Sequence, residues 1–221
     1  MFSCEAKFKG SVVGVKERRE REKLGIRTLI LDAARDMFVS EGFESVSMRK
    51  LAERVEYSPT AIYLHFKDKE TLFLELCMSD FQELMKRIEQ FFSVSDPVER
   101  LKKMAGAYVK FGVEHPNQYR LLFMTPLPDK AQTHLPPVDG HCQVDEEAYT
   151  ALRTTIADAI AAGKLRNDLQ DADLIAQVFF AALHGVVSVH IAKGEEPWIN
   201  WRPVAQQGEF LVNLMLRGAM S

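Results

Sequence analysis

MRKLAERVEYSPTAIYLHF, residues 48–66, reads as two short helices joined by a tight turn. Ser47 stands where its hydroxyl caps a free backbone N–H, so the first helix starts at Met48. Leu51, Ala52 and Val55 recur at i, i+1 and i+4 and give that helix one inward face. The turn falls at Glu56-Tyr57. Ser58 caps again, and Pro59 takes the first helical position, where its missing N–H costs nothing. Thr60 to His65 then supply roughly two turns of helix. Ile62 faces inward, while Thr60, Tyr63 and His65 carry polar tips able to reach a phosphate or a base edge. This is a helix-turn-helix, which docks its second helix in the major groove of DNA.

The flanks extend the motif. Ile26, Leu29, Ile30, Ala33, Ala34, Met37 and Phe38 follow the period of an amphipathic helix, which stops at Gly42. Lys67-Asp68-Lys69-Glu70 opens a further helix with Asp68 as its cap. Three helices around a central turn, with a fourth leading away, make a DNA-binding head over residues 26–70.

The segment ILDAARDMFVSEGFESVSMRKLAERVEYSPTAIYLHFKDKETL, Ile30 to Leu72, resembles the N-terminal domain of TetR-type transcriptional regulators. Ala33, Ala34, Phe38, Gly42 and Phe43 match one part of that pattern. Ser47, Arg49, Leu51 and Ala52 match a second, and Tyr63, His65, Phe66, Lys69 and Leu72 a third. A weaker similarity runs through EHPNQYRLLF (Glu114 to Phe123) and ALHG (Ala182 to Gly185), which resemble one branch of the family's ligand-binding domain. The resemblance implies DNA contacts from Ser47, Arg49, Ser58, Pro59, Thr60, Tyr63, His65, Lys67 and Lys69. It also implies a homodimer on a palindromic operator, released by a small-molecule effector. One position departs: many members have glycine in the turn where this chain has Glu56. A positive φ there costs a non-glycine residue roughly 1 kcal/mol.

Composition agrees with a folded protein of one or two domains. The 221 residues are 47% hydrophobic, enough for a sizeable core. No run of 18 apolar residues occurs, so no membrane span is expected, and residues 1–25 lack the apolar stretch of a secretory signal. Cys4, Cys77 and Cys142 are odd in number and far apart, which points to a reducing cytoplasm rather than a disulfide framework. The net charge of −3 is unevenly spread: residues 1–70 hold 14 basic and 12 acidic residues, the remainder 14 and 19. Lys16, Arg18, Arg19, Arg21, Lys23 and Arg27 concentrate the basic side, interleaved with Glu17, Glu20 and Glu22. Residues 1–25 are expected to be a flexible arm, either following DNA phosphates or simply solvated. Residues 1–14 show no periodicity.

After Leu72 the chain reads as helix after helix, giving an all-α fold in which residues 71–221 form a larger ligand-binding and dimerisation domain. Leu72, Phe73, Leu76, Cys77, Phe81, Leu84, Ile88 and Phe91 make one stripe. Val98, Leu101, Met104, Ala105, Tyr108 and Phe111 make the next, behind Asp96 as cap and Pro97 at the first position. A short helix carries Tyr119, Leu122 and Phe123; a long proline-rich loop spans 125–142; Tyr149, Leu152, Ile156 and Ile160 mark a helix ending at Gly163. Leu174 to Ala192 is apolar on nearly every side, and Val204 to Leu216 has a wide stripe through Phe210, Leu211, Leu214 and Met215. A helix apolar all round needs burial all round, which a second copy of the chain supplies, as an intersubunit four-helix bundle does in the family; an ordinary central helix is the plain alternative.

No catalytic constellation stands out, and an enzyme is not expected. There is no P-loop, dinucleotide fingerprint or zinc-spaced cysteine set, and neither cofactor nor metal is expected. His184 and His190 are six apart and do not converge; His134, His141 and Cys142 lie in or beside the long loop. Met104, Tyr108, Phe111, Tyr119 and Phe123, with His184, are candidates to line a largely apolar effector pocket; at helical spacing they also read as plain core. Two functions therefore remain: a ligand-released DNA-binding regulator, or a helical small-molecule-binding protein or enzyme whose helix-turn-helix is incidental.

Overall fold

Local signals set most helix boundaries. The computed structural model describes residues 14–126, 128 and 143–220, and these form an all-α chain. Helix α1 is Val15–Glu41, followed by a 3-10 turn at Phe43–Ser45; α2 is Met48–Arg54, α3 Pro59–Tyr63 and α4 Lys69–Glu89. Then come α5 (Pro97–Glu114), α6 (Pro116–Phe123), α7 (Gln143–Ala161), α8 (Ala172–Lys193) and α9 (Val204–Ala219). Side-chain oxygens cap the helices where the sequence places them: Ser47 accepts from Lys50 N–H (3.2 Å), Ser58 from Ala61 N–H (3.2 Å) and Asp68 from Thr71 N–H (2.8 Å). Asp96 accepts from Val98 N–H at 2.9 Å in the same way.

Two expectations change. Residues 15–25 are helical: α1 runs back to Val15, and the interleaved charges include the i,i+4 pair Arg18–Glu22 at 3.1 Å. Residues 1–13 lie outside the described part. The second helix of the motif is shorter than two full turns; α3 ends at Tyr63, and the chain tightens as His65 and Phe66 N–H both donate to the Ile62 carbonyl, at 2.9 and 3.0 Å. The long loop lies outside the described residues except for Thr125, Pro126 and Pro128.

Two cores form. The head core joins Ile30, Phe38, Leu51, Ile62 and Phe66, and extends past the expected boundary at residue 70 to Leu72, Phe73 and Leu76 of α4. Phe38, Phe43 and Phe73 cluster with ring centroids 5.2–5.5 Å apart. The second core takes Phe81, Leu84 and Ile88 from the far half of α4 and the inner faces of α5, α7, α8 and α9. The short α6 belongs to both: Leu121 is buried in the head core and Tyr119 in the larger one.

Candidate nucleic-acid interface and ligand cavity

The turn between α2 and α3 is a Schellman motif. Tyr57 N–H donates to the Ala52 carbonyl (3.0 Å) and Glu56 N–H to the Glu53 carbonyl (3.3 Å). That pattern requires a left-handed residue at position 56, and Glu56 adopts φ 58°. With Ile62 fully buried beneath it, α3 turns its other side to solvent. Thr60 and Tyr63 are exposed there, and Arg49 and Lys67 are exposed as well. Ser47 caps α2 and Ser58 caps α3 with their hydroxyls, and Pro59 follows Ser58 at the exposed start of α3. Arg49 pairs with Glu53 at 3.1 Å, a solvent-exposed contact weak enough to exchange for a phosphate.

Lys69 and His65 are held differently. The Lys69 ammonium donates to the Phe43 carbonyl at 2.8 Å and sits 4.1 Å from the Phe43 ring centroid, so it ties α4 to the 3-10 turn. His65 is half-buried with Nδ1 buried and unpartnered among the described residues. Burial, then the nearby Lys23 and Arg27 charges, push its pKa below the ordinary histidine value. Arg27 is no free arm residue: it donates to the His65 carbonyl at 3.2 Å, pairs with Glu75 and covers the Phe66 ring at 4.4 Å.

In the larger core, an apolar cavity of about 280 Å³ opens between α4, α5, α6, α7 and α8. Of the six candidate pocket residues, Met104, Tyr108 and Phe123 line it. Phe111 does not; it packs beside His115 at 5.4 Å and lies in the buried core. Tyr119 and His184 stand one layer back. The Tyr108 and Tyr119 hydroxyls are 2.7 Å apart, and Tyr119 Oη is 2.7 Å from His184 Nδ1. Burial pushes both phenols further above the usual tyrosine range and pushes His184 below the usual histidine value. The walls missed in the sequence include Phe81, Leu84, Leu152 and Phe180. Phe81, Leu84 and Leu152 sit on apolar stripes and Phe180 on a helix apolar on nearly every side, but periodicity marks at most the buried side of a helix and not which part of it faces a void.

A polar network ties α6 to the head. Arg35 on α1 donates twice to buried Asp80 on α4, at 2.8 and 2.7 Å, and Gln118 on α6 donates to the same carboxylate at 2.9 Å. Asn117 reaches Asp36 of α1 at 3.0 Å. The residues between and beyond them, Tyr119, Leu122 and Phe123, belong to the cavity and its backing.

The last two helices leave apolar side chains uncovered. Leu174, Val178 and Val189 on α8 and Phe210 and Leu214 on α9 are exposed, Phe210 by 71%. By length and composition alone α8 is apolar enough to cross a membrane, yet Ala176, Phe179, Leu183 and Val187 pack its inner side into the larger core.

A capped helix-turn-helix carried on a helical domain with an internal cavity defines a class, the helix-turn-helix regulators. Residues 30–76 match the family described as bacterial regulatory proteins, tetR family, and residues 101–201 match the tetracyclin repressor-like C-terminal domain. The chain belongs to the TetR family of transcriptional regulators. It is 31% identical over 99 residues to the transcriptional activator FasR of Mycolicibacterium smegmatis, spanning 44% of this chain and 45% of FasR, less than half of that protein. It is 29% identical over 145 residues to the transcriptional repressor AcnR of Corynebacterium glutamicum, covering 65% of this chain and 70% of AcnR. Among solved structures, the TetR family regulator PfmR from Thermus thermophilus has the same fold, with a TM-score of 0.68 at 20% identity over 85% of this chain and 97% of that one.

Proposed function

We propose that this protein is a dimeric repressor that binds a palindromic operator through α3 and is released when a small molecule fills the cavity beside α6. The observation that carries this reading is α6 itself. One short helix sends Leu121 into the head core, Asn117 and Gln118 to the carboxylates of α1 and α4, and Leu122 and Phe123 into the cavity wall. A ligand that binds better to one placement of α6 than to another shifts the heads by that difference in affinity. Two heads held roughly 34–36 Å apart fit successive major grooves, and other spacings do not. Thr60, Tyr63, Arg49 and Lys67 are the side chains proposed to touch DNA, with the backbone at Ser47, Ser58 and Pro59 against phosphates. The repressor sense follows AcnR, a relative matched over 70% of its length; FasR is named an activator.

Selection of bound sequences from random duplex DNA with the purified protein tests this. Enrichment of a palindrome, bound with steep salt dependence, is the expected result. Recovery of no preferred sequence, with binding no tighter than to random duplex, favours a small-molecule-binding protein whose helix-turn-helix is incidental.

A further inference from the structure

We propose that the ligand of the cavity is an uncharged, largely apolar molecule with one hydroxyl or carbonyl group, and that Tyr108 receives that group with Tyr119 and His184 aligned behind it. This rests on the reading of the cavity as the effector site. Among the described lining residues none is charged, and the only side-chain hydroxyls are those of Tyr108 and Tyr149. Tyr149 is directed elsewhere, its hydroxyl 3.4 Å from both the carbonyl and the carboxylate of Asp173. The nearest cation on α6, Arg120, is committed to Asn117 Oδ1 and the Ile191 carbonyl. A carboxylate or ammonium group entering the cavity therefore loses its hydration and gains no counter-charge from the described lining residues, which disfavours it strongly. A single neutral polar group suffers no such loss if Tyr108 meets it.

The chain behind Tyr108 explains why either a donor or an acceptor fits. Burial lowers His184 from the ordinary histidine value and so favours the neutral ring, in which one nitrogen donates and the other accepts. With Nδ1 bare, Tyr119 donates to it, Tyr108 donates to Tyr119, and the Tyr108 oxygen is left to accept from a ligand hydroxyl. With the proton on Nδ1, the chain runs the other way and the Tyr108 O–H is left to donate to a ligand carbonyl. The ring stack of Tyr119 on His184, 5.7 Å between centroids at 17°, holds the imidazole in line for both. The volume of about 280 Å³ is the space of roughly nine water molecules, which sets the ligand near ten heavy atoms.

Calorimetric titration of the full chain with 1-decanol, 2-decanone, decanoate and decylammonium tests the assignment at matched chain length. The alcohol and the ketone bind, and the two ions bind at least tenfold more weakly. Tyr108→Phe lowers affinity for alcohol and ketone about tenfold while the melting temperature stays within a few degrees. His184→Gln, whose amide both donates and accepts, stays within about threefold of the parent, whereas His184→Leu loses affinity as Tyr108→Phe does. Decanoate binding as tightly as decanol, no binding by either neutral compound at its solubility limit, or an unchanged Tyr108→Phe overturns the proposal. Retention of the selected duplex is measured in parallel. Neutral ligands that bind without displacing it leave the ligand class standing and remove the release mechanism; displacement by decanoate alone does the reverse.

Discussion

Glu56 adopts a left-handed backbone, φ 58°, among the described non-glycine residues the only one to do so. The conformation is imposed by the Schellman bonds of Ala52–Tyr57 and Glu53–Glu56, and it costs an L side chain about 1–2 kcal/mol. Glycine removes that strain but loses about 0.5–1 kcal/mol to the entropy of the unfolded chain. Glu56→Gly is therefore expected to stabilise the head by about 0.5–1 kcal/mol, a rise of about 1–4 °C in melting temperature for a protein of this size. Differential scanning calorimetry checks it, and a fall in melting temperature contradicts the strain assigned to this turn. Tyr63 tests the outer face of the same motif. It is 54% exposed, so Tyr63→Phe leaves the core untouched and removes one hydroxyl. Operator affinity at fixed salt is expected to drop about three- to tenfold, the range of one hydrogen bond; an unaltered affinity removes Tyr63 from the contact surface. The departure at Glu56 was legible through the resemblance to the family, whose members often carry glycine at that point of the turn. The engagement of Lys69 with Phe43 was not, because the two lie 26 residues apart and the contact depends on how α4 crosses the 3-10 turn.

At the scale of elements, caps proved readable and side-chain direction did not. Ser47, Ser58, Asp68 and Asp96 act within three residues of themselves, so the sequence locates them. The N-terminal half of α1 was hidden by its composition: a charged run looks solvated, and only the i,i+4 offset of Arg18 and Glu22 betrays a helix. Exposed Arg18, Arg19 and Arg21 lie on the same continuous helix, α1, that enters the head core at Ile30. Changing all three to Gln is expected to flatten the slope of log affinity against log salt by about 0.9 for each phosphate no longer neutralised. An identical slope in the variant makes this stretch a solvated helix only. Helix α5 shows the opposite constraint. A Cβ added at Gly112 would lie 2.3 Å from Val187 Cγ1 and 3.0 Å from Tyr119 Cδ2, so α5 and α8 approach closely only because that position is bare. Gly112→Ala gains about 1 kcal/mol of helix propensity but overpacks the junction, typically by about 1–3 kcal/mol. Net destabilisation, read from the denaturant midpoint, is expected together with weaker ligand binding, since Tyr119 must move. A more stable Gly112→Ala shows that α8 shifts freely at this crossing.

Across the whole molecule, the two cores are joined by shared helices rather than by a linker, since α4 and α6 contribute to both. Buried Asp80 holds α1 through Arg35 and α6 through Gln118, the contact by which the proposed mechanism would carry a displacement of α6 to the head. What the single chain does not satisfy is the outer side of α8 and α9. Leu174 is 58% exposed, Val178 51%, Phe210 71% and Leu214 57%, on two neighbouring helices of the same domain. Monomers seldom leave such a surface in water, and a second copy offering the same side chains would bury it by symmetry, as the proposed dimer requires. Exposure also identifies the best probes. Val186 is partly buried within its own domain, so a charge there would damage the monomer as well as the interface. Phe210 and Leu214 extend outward, so an aspartate at either is expected to leave the isolated fold intact. In a dimer the same aspartate is an unpaired charge inside an apolar contact, which costs several kcal/mol. Phe210→Asp and Leu214→Asp are therefore expected to sediment as folded monomers at micromolar concentration, with helical content unchanged by circular dichroism. Their operator affinity should fall at least 100-fold, because a lone head on one half-site lacks the effective concentration that a tethered second head supplies. A wild-type protein that sediments as a monomer while binding a palindrome tightly, or an aspartate variant that remains dimeric, places the dimer contact elsewhere and removes the half-site spacing mechanism built on α8 and α9.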